Sequence, residues 1–213
     1  MSSQSESLLM GSNLVAFAPS VPANLRADVM DCLLYAQLSA DAKFDRSRTW
    51  RQWIEQYQRI LYQKGARISG ALNPVRLKIE RLSDLSRIRH HLAGSATSPQ
   101  LRVLLERSIN ELMNSDHAKT FFGSWFSAGR SESMQVIPCE ATQDGGVNIL
   151  VCGLQMTTTA FKPGIFFWEV LGGEMIVTAN GGSFLMTEDS YAPFREPIAS
   201  YLATQAQQVI QEL

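Results

Sequence analysis

The stretch that decides the fold reads MQVIPCEATQDGGVNILVCGLQMT and covers residues 134–157. Two apolar runs flank an Asp-Gly-Gly tripeptide, which is typical of a tight turn between antiparallel strands. The stretch therefore predicts a β-hairpin. With Gly145 and Gly146 as the loop residues, Cys139 lies opposite Cys152 on one apolar face. A one-residue change of register would destroy that pairing, so whether the two cysteines are paired stays open.

Cysteine usage gives little support to redox or metal chemistry. The chain has three cysteines and no C-x-x-C pattern. An odd, low count argues against a secreted domain held together by disulfides. Free cysteine usually behaves as a small apolar core residue. The sequence thus favours core positions for Cys139 and Cys152 over a redox pair or half of a metal site.

More strands are expected after this hairpin. IFFWEVL at 165–171 and EMIVTA at 174–179 are separated by two glycines and predict a second hairpin. Asn-Gly-Gly at 180–182 predicts a further turn. In the expected register one hairpin face is wholly apolar and belongs to the core. The other face carries Phe167 and Ile176, which form a candidate apolar interaction surface.

Apolar residues at helical spacing predict the helices. They cover 24–38, 47–64, 83–93 and 98–114, with a closing helix from 195 or 197. Gly65 follows the second of these helices as a left-handed stop. Segment 73–82 reads either as a short strand, because Val75 to Ile79 alternate, or as the start of a continuous helix at Asn73-Pro74. The expected fold class is α+β: an N-terminal layer of about four helices, an antiparallel meander of about five strands, and a C-terminal helix packed on the sheet.

The chain is expected to form one domain. Residues 1–20 include six serines and predict a loose N-terminal arm. Residues 21–213 predict a single α+β domain, with a helical part at 21–115 and the sheet plus the last helix at 116–213. The apolar content of 45% is ordinary for a globular protein and is enough for a substantial core.

Neither a secretory signal nor a membrane anchor is expected from the sequence. No apolar run approaches the ~20 residues of a membrane helix, so an integral membrane protein is not expected. The N-terminus lacks the basic region of a signal peptide, which makes cytoplasm the expected compartment. Secretion without a cleaved signal stays open as an alternative.

Basic residues are concentrated in one part of the chain. Between Lys43 and Arg89 there are 12 Lys and Arg against 4 Asp and Glu. This excess indicates a surface for an anion or a partner. The candidate residues are Arg46, Arg48, Arg51, Arg87, Arg89, His90 and His91. Trp50, Trp53 and Tyr57 form one helical stripe and are expected to face the core, which leaves charge without a stacking platform and argues against nucleic acid.

No complete catalytic or cofactor motif occurs. The patterns H-E-x-x-H, G-x-x-x-x-G-K-[ST], G-x-G-x-x-G and G-x-S-x-G are all absent. His90 and His91 are adjacent, so on a helix they point about 100° apart and cannot bind one metal side by side. No catalytic residue, cofactor or metal ligand is therefore predicted.

The sequence favours a non-enzymatic binding or interaction protein, such as an adaptor, chaperone, regulator or effector. A protein partner or self-association would use the candidate surfaces above. Two alternatives stay open. One is an enzyme whose site is assembled from distant residues. The other is a membrane- or lipid-interacting, toxin-like protein with peripheral bilayer contact.

Overall fold

The computed structural model describes residues 6–10, 12–79, 85–96, 98–114, 131–158 and 175–211. Within these ranges the elements follow in the order β1 (Glu6–Met10), β2 (Asn13–Phe17), α1 (Ala23–Asp41), α2 (Trp50–Gln63), β3 (Arg67–Ile79), α3 (Leu85–Gly94), α4 (Pro99–Asn114), β4 (Glu132–Ala141), β5 (Val147–Thr158), β6 (Met175–Met186) and α5 (Glu188–Gln211). The second hairpin expected at 165–179 lies largely outside the described residues, since only 175–179 of it are described.

The described strands form one sheet in the order β1-β2-β4-β5-β6-β3. Strands β2 and β4 are parallel, and every other neighbouring pair is antiparallel. The α+β class is confirmed. The purely antiparallel meander is wrong, because the sheet is mixed and its strands come from three separate parts of the chain.

The first strands come from the segment that was expected to be a loose arm. Strand β2 has the sequence NLVAF and is buried at all five positions. It lies parallel to β4 with Val15 beside Ile137. A run that is apolar at successive positions suits a strand covered on both faces, and for that reason this short segment enters the sheet.

Helices cover both faces of the sheet. One core cluster joins α1, α2 and α5 to residues such as Ile137, Val151 and Phe184. A second cluster joins α3 and α4 to Val136 and Leu154 on the opposite face. Strand β4 is buried at eight successive positions because both of its faces are covered. Fully burying a side chain of this size is worth roughly 1.5–3 kcal/mol, so both layers contribute to stability.

The β4–β5 hairpin exists, but its predicted register is wrong. Cys139 pairs with Ile149 and Cys152 pairs with Val136, so the two thiols face opposite core clusters. The loop covers 142–146 rather than two residues. The Thr142 amide donates to the Gly146 carbonyl oxygen, and the amides of Gly145 and Gly146 donate to the carbonyl and hydroxyl oxygens of Thr142. Gly145 adopts φ 77° within this loop. All three cysteines are free and buried.

The glycines at 180–182 do not form the predicted turn, since they lie in the middle of β6. A Cβ on Gly181 would lie 1.8 Å from the Val151 carbonyl oxygen of the neighbouring strand. A Cβ on Gly153 would lie 2.8 Å from the Cδ1 of Ile54 on α2. Glycine is used here for close approach of strand and helix rather than for a change of direction.

Segment 73–82 is extended as far as Ile79, where β3 ends. Strand β3 pairs with β6 and contains two irregularities, one between Ile68 and Gly70 and one between Leu72 and Val75. The alternation therefore outweighs the Asn-Pro helix signal. The strand also starts at Arg67, earlier than the sequence indicates.

The last helix starts at Glu188, earlier than predicted, because Thr187 and Ser190 cap each other. The Thr187 amide donates to Ser190 Oγ at 3.0 Å, and the Ser190 amide donates to Thr187 Oγ1 at 3.2 Å. Arg195 then binds the buried Asp28 carboxylate of α1 through two hydrogen bonds of 2.9 and 2.7 Å. This ion pair fixes α5 against α1.

We expect Gly181→Ala to lower the free energy of unfolding by about 3 kcal/mol or more, because the new methyl group meets fixed backbone. Urea denaturation followed by circular dichroism measures the change. Gly94→Ala is the matched control, since no atom lies within 4 Å of its added Cβ. Equal stability of the two variants would contradict the packing of β5 on β6.

Candidate anion-binding surfaces

Arg46 lies in the loop between α1 and α2 and turns inward onto the sheet. Its Nε donates to Ser133 Oγ at 2.8 Å, its Nη2 to Gln135 Oε1 at 2.5 Å, and its Nη1 to Ser12 Oγ. The sequence indicates that the arginines around α2 face water, and Arg46 is the exception. It connects the loop to the faces of β2 and β4.

The Arg46 guanidinium also stacks on an indole ring, with its Cζ 4.1 Å from the centre of Trp53. Trp53 donates its Nε1 proton to Asp41 Oδ1 at 2.7 Å and stacks on Tyr57. Burial lowers the pKa of Arg46 to about 10, while nearby Asp41, Tyr57 and Glu132 act in the opposite direction. The guanidinium is thus a partly desolvated cation held by neutral groups and an aromatic face.

Two carboxylates in this region, those of Asp41 and Asp45, accept hydrogen bonds from other groups. Asp45 Oδ1 accepts from the Ser47 hydroxyl at 2.7 Å and from two backbone amides, and these hydrogen bonds, the Ser47 hydroxyl first, lower its pKa. Asp45 also pairs with Arg48 at 3.4 Å. Among the described residues, no carboxylate forms an ion pair with Arg46.

The structure divides the predicted basic residues between two faces of the sheet. Arg48 and Arg51 are exposed on the α2 side, where Arg51 pairs with Glu55. The remaining predicted residues are on α3, which packs on the opposite face: Arg87, Arg89, His90 and His91. Within that group Arg89 donates weakly to Asn110, and a ring nitrogen of His91 lies 2.8 Å from the Asn73 carbonyl oxygen.

The structure describes one of the two residues of the predicted apolar interaction surface. Phe167 lies outside the described residues. Ile176 is on β6, half-buried, and pairs with Lys78 of β3 and Thr157 of β5. It therefore lies on the same sheet face as Ser133 and Gln135, at the end of the sheet away from the apolar core.

Sequence reasoning missed a surface where α2 ends and β3 begins, which we call the α2–β3 corner: Arg59, Tyr62, Arg67 and Ile68. All four side chains are exposed, with Tyr62 at 58% and Ile68 at 64%. Arg59 and Arg67 make no hydrogen bond or ion pair with any described residue. The available signal was the absence of Asp and Glu between Glu55 and Glu80.

The corner is held firmly by the end of α2. Ala66 donates its amide to Leu61 and Gly65 donates to Tyr62, which together close the helix. Gly65 has φ 95°, as predicted for the stop of this helix, and a Cβ there would lie 2.2 Å from the Ser190 carbonyl oxygen. Lys64 turns away toward Tyr35 and Phe194 and does not belong to the corner.

The described residues offer no reactive thiol, metal site or membrane-spanning helix. Burial raises the pKa of the Cys32 thiol to about 12 and also raises the pKa values of Cys139 and Cys152. No group of three or more His, Cys, Asp and Glu in the described ranges is placed to hold a metal ion. In the same ranges no helix is both long and apolar enough to cross a bilayer.

Comparison with known proteins gives a likeness in fold alone. No protein-family profile and no curated protein sequence matches the chain. The structure of the activated Cyt2Ba monomer from Bacillus thuringiensis subsp. israelensis is similar, with TM-score 0.50 and 16% identity over 81% of this chain and 96% of that one. A delta-endotoxin has TM-score 0.49 and 16% identity over 84% and 85%. The Evf virulence factor has TM-score 0.38 and 14% identity over 91% and 79%.

We expect Arg46→Lys to lower the free energy of unfolding by about 1–3 kcal/mol, because an ammonium cannot reproduce the planar fork or its stacking on Trp53. Chemical denaturation measures the change. Arg51→Lys, at an exposed pair on the same helix layer, is expected to change stability by no more than about 0.5 kcal/mol. A loss for Arg51→Lys as large as that for Arg46→Lys would contradict the anchoring role of Arg46.

Proposed function

We propose that this chain is a toxin-like protein that binds anionic lipid bilayers peripherally through the α2–β3 corner. The observation that carries the proposal is the combination of unpaired arginines and exposed apolar side chains at that corner. The fold shared with the activated Cyt2Ba monomer supports the toxin-like class, since that protein and this chain have the same general architecture at low identity.

Charge at the corner is not neutralised within the described residues. Some exposed arginines pair with acids one helical turn away, as Arg51 does with Glu55 and Arg107 with Glu111. Arg59 and Arg67 have no such partner. A basic side chain near an anionic membrane surface contributes about 1 kcal/mol, so two arginines supply a useful attraction that salt weakens.

The corner also carries the side chains that suit the bilayer interface. Tyr62 combines an apolar ring with a hydroxyl, and tyrosine is enriched at the level of the lipid headgroups. Ile68, at the start of β3, adds exposed apolar area. Exposed apolar residues flanked by arginines are typical of surfaces that lie on a membrane without crossing it.

A protein partner at the same edge is the second candidate. Strand β3 has a described neighbour on one side only, and edge strands can pair with an added strand. Pro74, two irregularities and several basic side chains interrupt this edge, however, and such features oppose strand addition. The geometry thus favours a bilayer over a strand-forming partner.

An enzyme with a site assembled from distant residues receives less support. Such a site would join a histidine, a cysteine and an acid in a cleft. The three cysteines are buried with raised thiol pKa values, and His90 and His91 lie on α3. His117 lies outside the described residues.

Binding to vesicles tests the proposal. We expect the chain to co-sediment with phosphatidylcholine vesicles that contain phosphatidylglycerol, and to be released as salt rises. Replacing both Arg59 and Arg67 by Gln removes two headgroup contacts, so the affinity should fall on the order of 10- to 30-fold.

The matched control replaces the two paired, exposed arginines Arg48 and Arg51 by Gln, which removes the same formal charge on the same helix layer. That variant should bind nearly as well as the wild-type chain. Equal loss in the two variants would show non-specific charge attraction, and absence of binding to anionic vesicles would overturn the proposal.

A further inference from the structure

One face of the sheet is divided into an apolar half and a polar half. Helices α1 and α2 cover the apolar half, where Ile137, Val151 and Phe184 lie. Beyond Gly153, where Ile54 packs, the same face carries mainly hydroxyl and amide side chains, with Ile176 and Lys78 at its far end. We call this polar half the hydroxyl platform, and it consists of Ser131, Ser133, Gln155, Thr157 and Thr178.

Strand register places these side chains in two rows. Ser133 pairs with Gln155, Gln155 with Thr178, and Thr178 with Arg76 of β3, so the first row crosses four strands. The second row contains Ser131, whose hydroxyl lies 3.1 Å from that of Thr157. With strands ~4.8 Å apart, the first row extends about 14 Å, which is enough for a ligand the size of a sugar phosphate.

The platform keeps unused hydrogen-bonding capacity. Gln155 donates its Nε2 proton to Ser131 Oγ at 2.7 Å, and no described residue donates to its carbonyl oxygen. The Thr178 hydroxyl makes no hydrogen bond with any described residue. Gln155, Thr157 and Thr178 are all partly exposed. These groups can therefore donate to and accept from a ligand rich in hydroxyls.

A cation lies at each end of the first row. At one end Arg46 uses three of its five N–H groups on Ser133, Gln135 and Ser12, which leaves two donors. At the other end Arg76 is exposed and pairs with no described residue. Guanidinium groups are well suited to phosphate oxygens because their donors are arranged in a planar fork.

We propose that the hydroxyl platform binds a phosphorylated polyol, whose hydroxyls contact Gln155 and Thr178 and whose phosphate contacts Arg76, the register neighbour of Thr178. The same chemistry occurs in a lipid headgroup and in a free sugar phosphate. The platform is distinct from the α2–β3 corner, so this binding does not depend on the bilayer contact proposed above.

Titration of the full-length chain with myo-inositol 1-phosphate, followed by calorimetry and by NMR shifts of backbone amides, tests the proposal. We expect saturable binding with the shifts concentrated in β5, β6 and the C-terminal half of β3. Thr178→Val keeps the shape and the β-branching, so it should weaken binding about fivefold through loss of one hydrogen bond. Arg76→Gln should weaken it tenfold or more through loss of a charge-assisted contact.

Two controls make the result specific. Arg87→Gln removes a charge from α3 on the opposite face and should leave the affinity unchanged. Inorganic phosphate should bind more weakly than the inositol phosphate, because it cannot use the platform. Equal affinity for both ligands with no effect of Thr178→Val would show an adventitious anion and would overturn the proposal, as would the absence of any binding.

Vesicles that contain phosphatidylinositol distinguish the two sources of the ligand. If such vesicles compete with the soluble inositol phosphate, and Thr178→Val reduces the competition, the polyol is lipid-borne. If the soluble ligand binds and vesicles do not compete, the free phosphorylated polyol is the ligand, and the inference stands even where the bilayer proposal fails. If vesicles bind at the α2–β3 corner and the soluble ligand does not bind, the platform inference fails while the bilayer proposal stands.

Discussion

Burial of both faces of the central strands is the constraint on which the rest of the structure depends. Strand β4 is buried at eight successive positions, and a strand of this kind needs a helix layer on each side. The layer of α1 and α2 comes close because Gly153 leaves room for Ile54. The ion pair between Asp28 and Arg195 then attaches α5 to the outside of that layer.

The same layer leaves part of its sheet face polar, and this has functional consequences. Arg46 lies at the boundary, where it stacks on Trp53 and donates to Ser133 and Gln135 of β4. Burial lowers the pKa of Arg46 against the opposing effects of Asp41, Tyr57 and Glu132, and no carboxylate of the described residues forms an ion pair with it. The α2–β3 corner is exposed for a different reason, because Gly65 ends α2 and turns the chain at the edge of the sheet.

Much of the secondary structure follows from local patterns, while the topology does not. The stripe of Trp53 and Tyr57 correctly predicts a buried helix face, and the stop at Gly65 is confirmed. The entry of β2 into the sheet depends on its parallel pairing with β4, which no local signal contains. Gly181 resembles a turn residue in sequence, yet it serves a close strand contact. Arg46 faces inward because distant Ser133 accepts its hydrogen bond, so the sequence could not separate it from its exposed neighbours.

The central claim is that the α2–β3 corner contacts lipid while the sheet and the helix layers on its two faces stay intact. Hydrogen–deuterium exchange with and without anionic vesicles tests this claim most directly. The amides of β4 and β5 should exchange slowest, because they lie in the middle of a sheet buried on both faces. Vesicles should add protection at residues 59–68 and leave β4 and β5 unchanged. Protection gained at α3 and α4 instead, or lost in β4 and β5 on addition of lipid, would contradict this account.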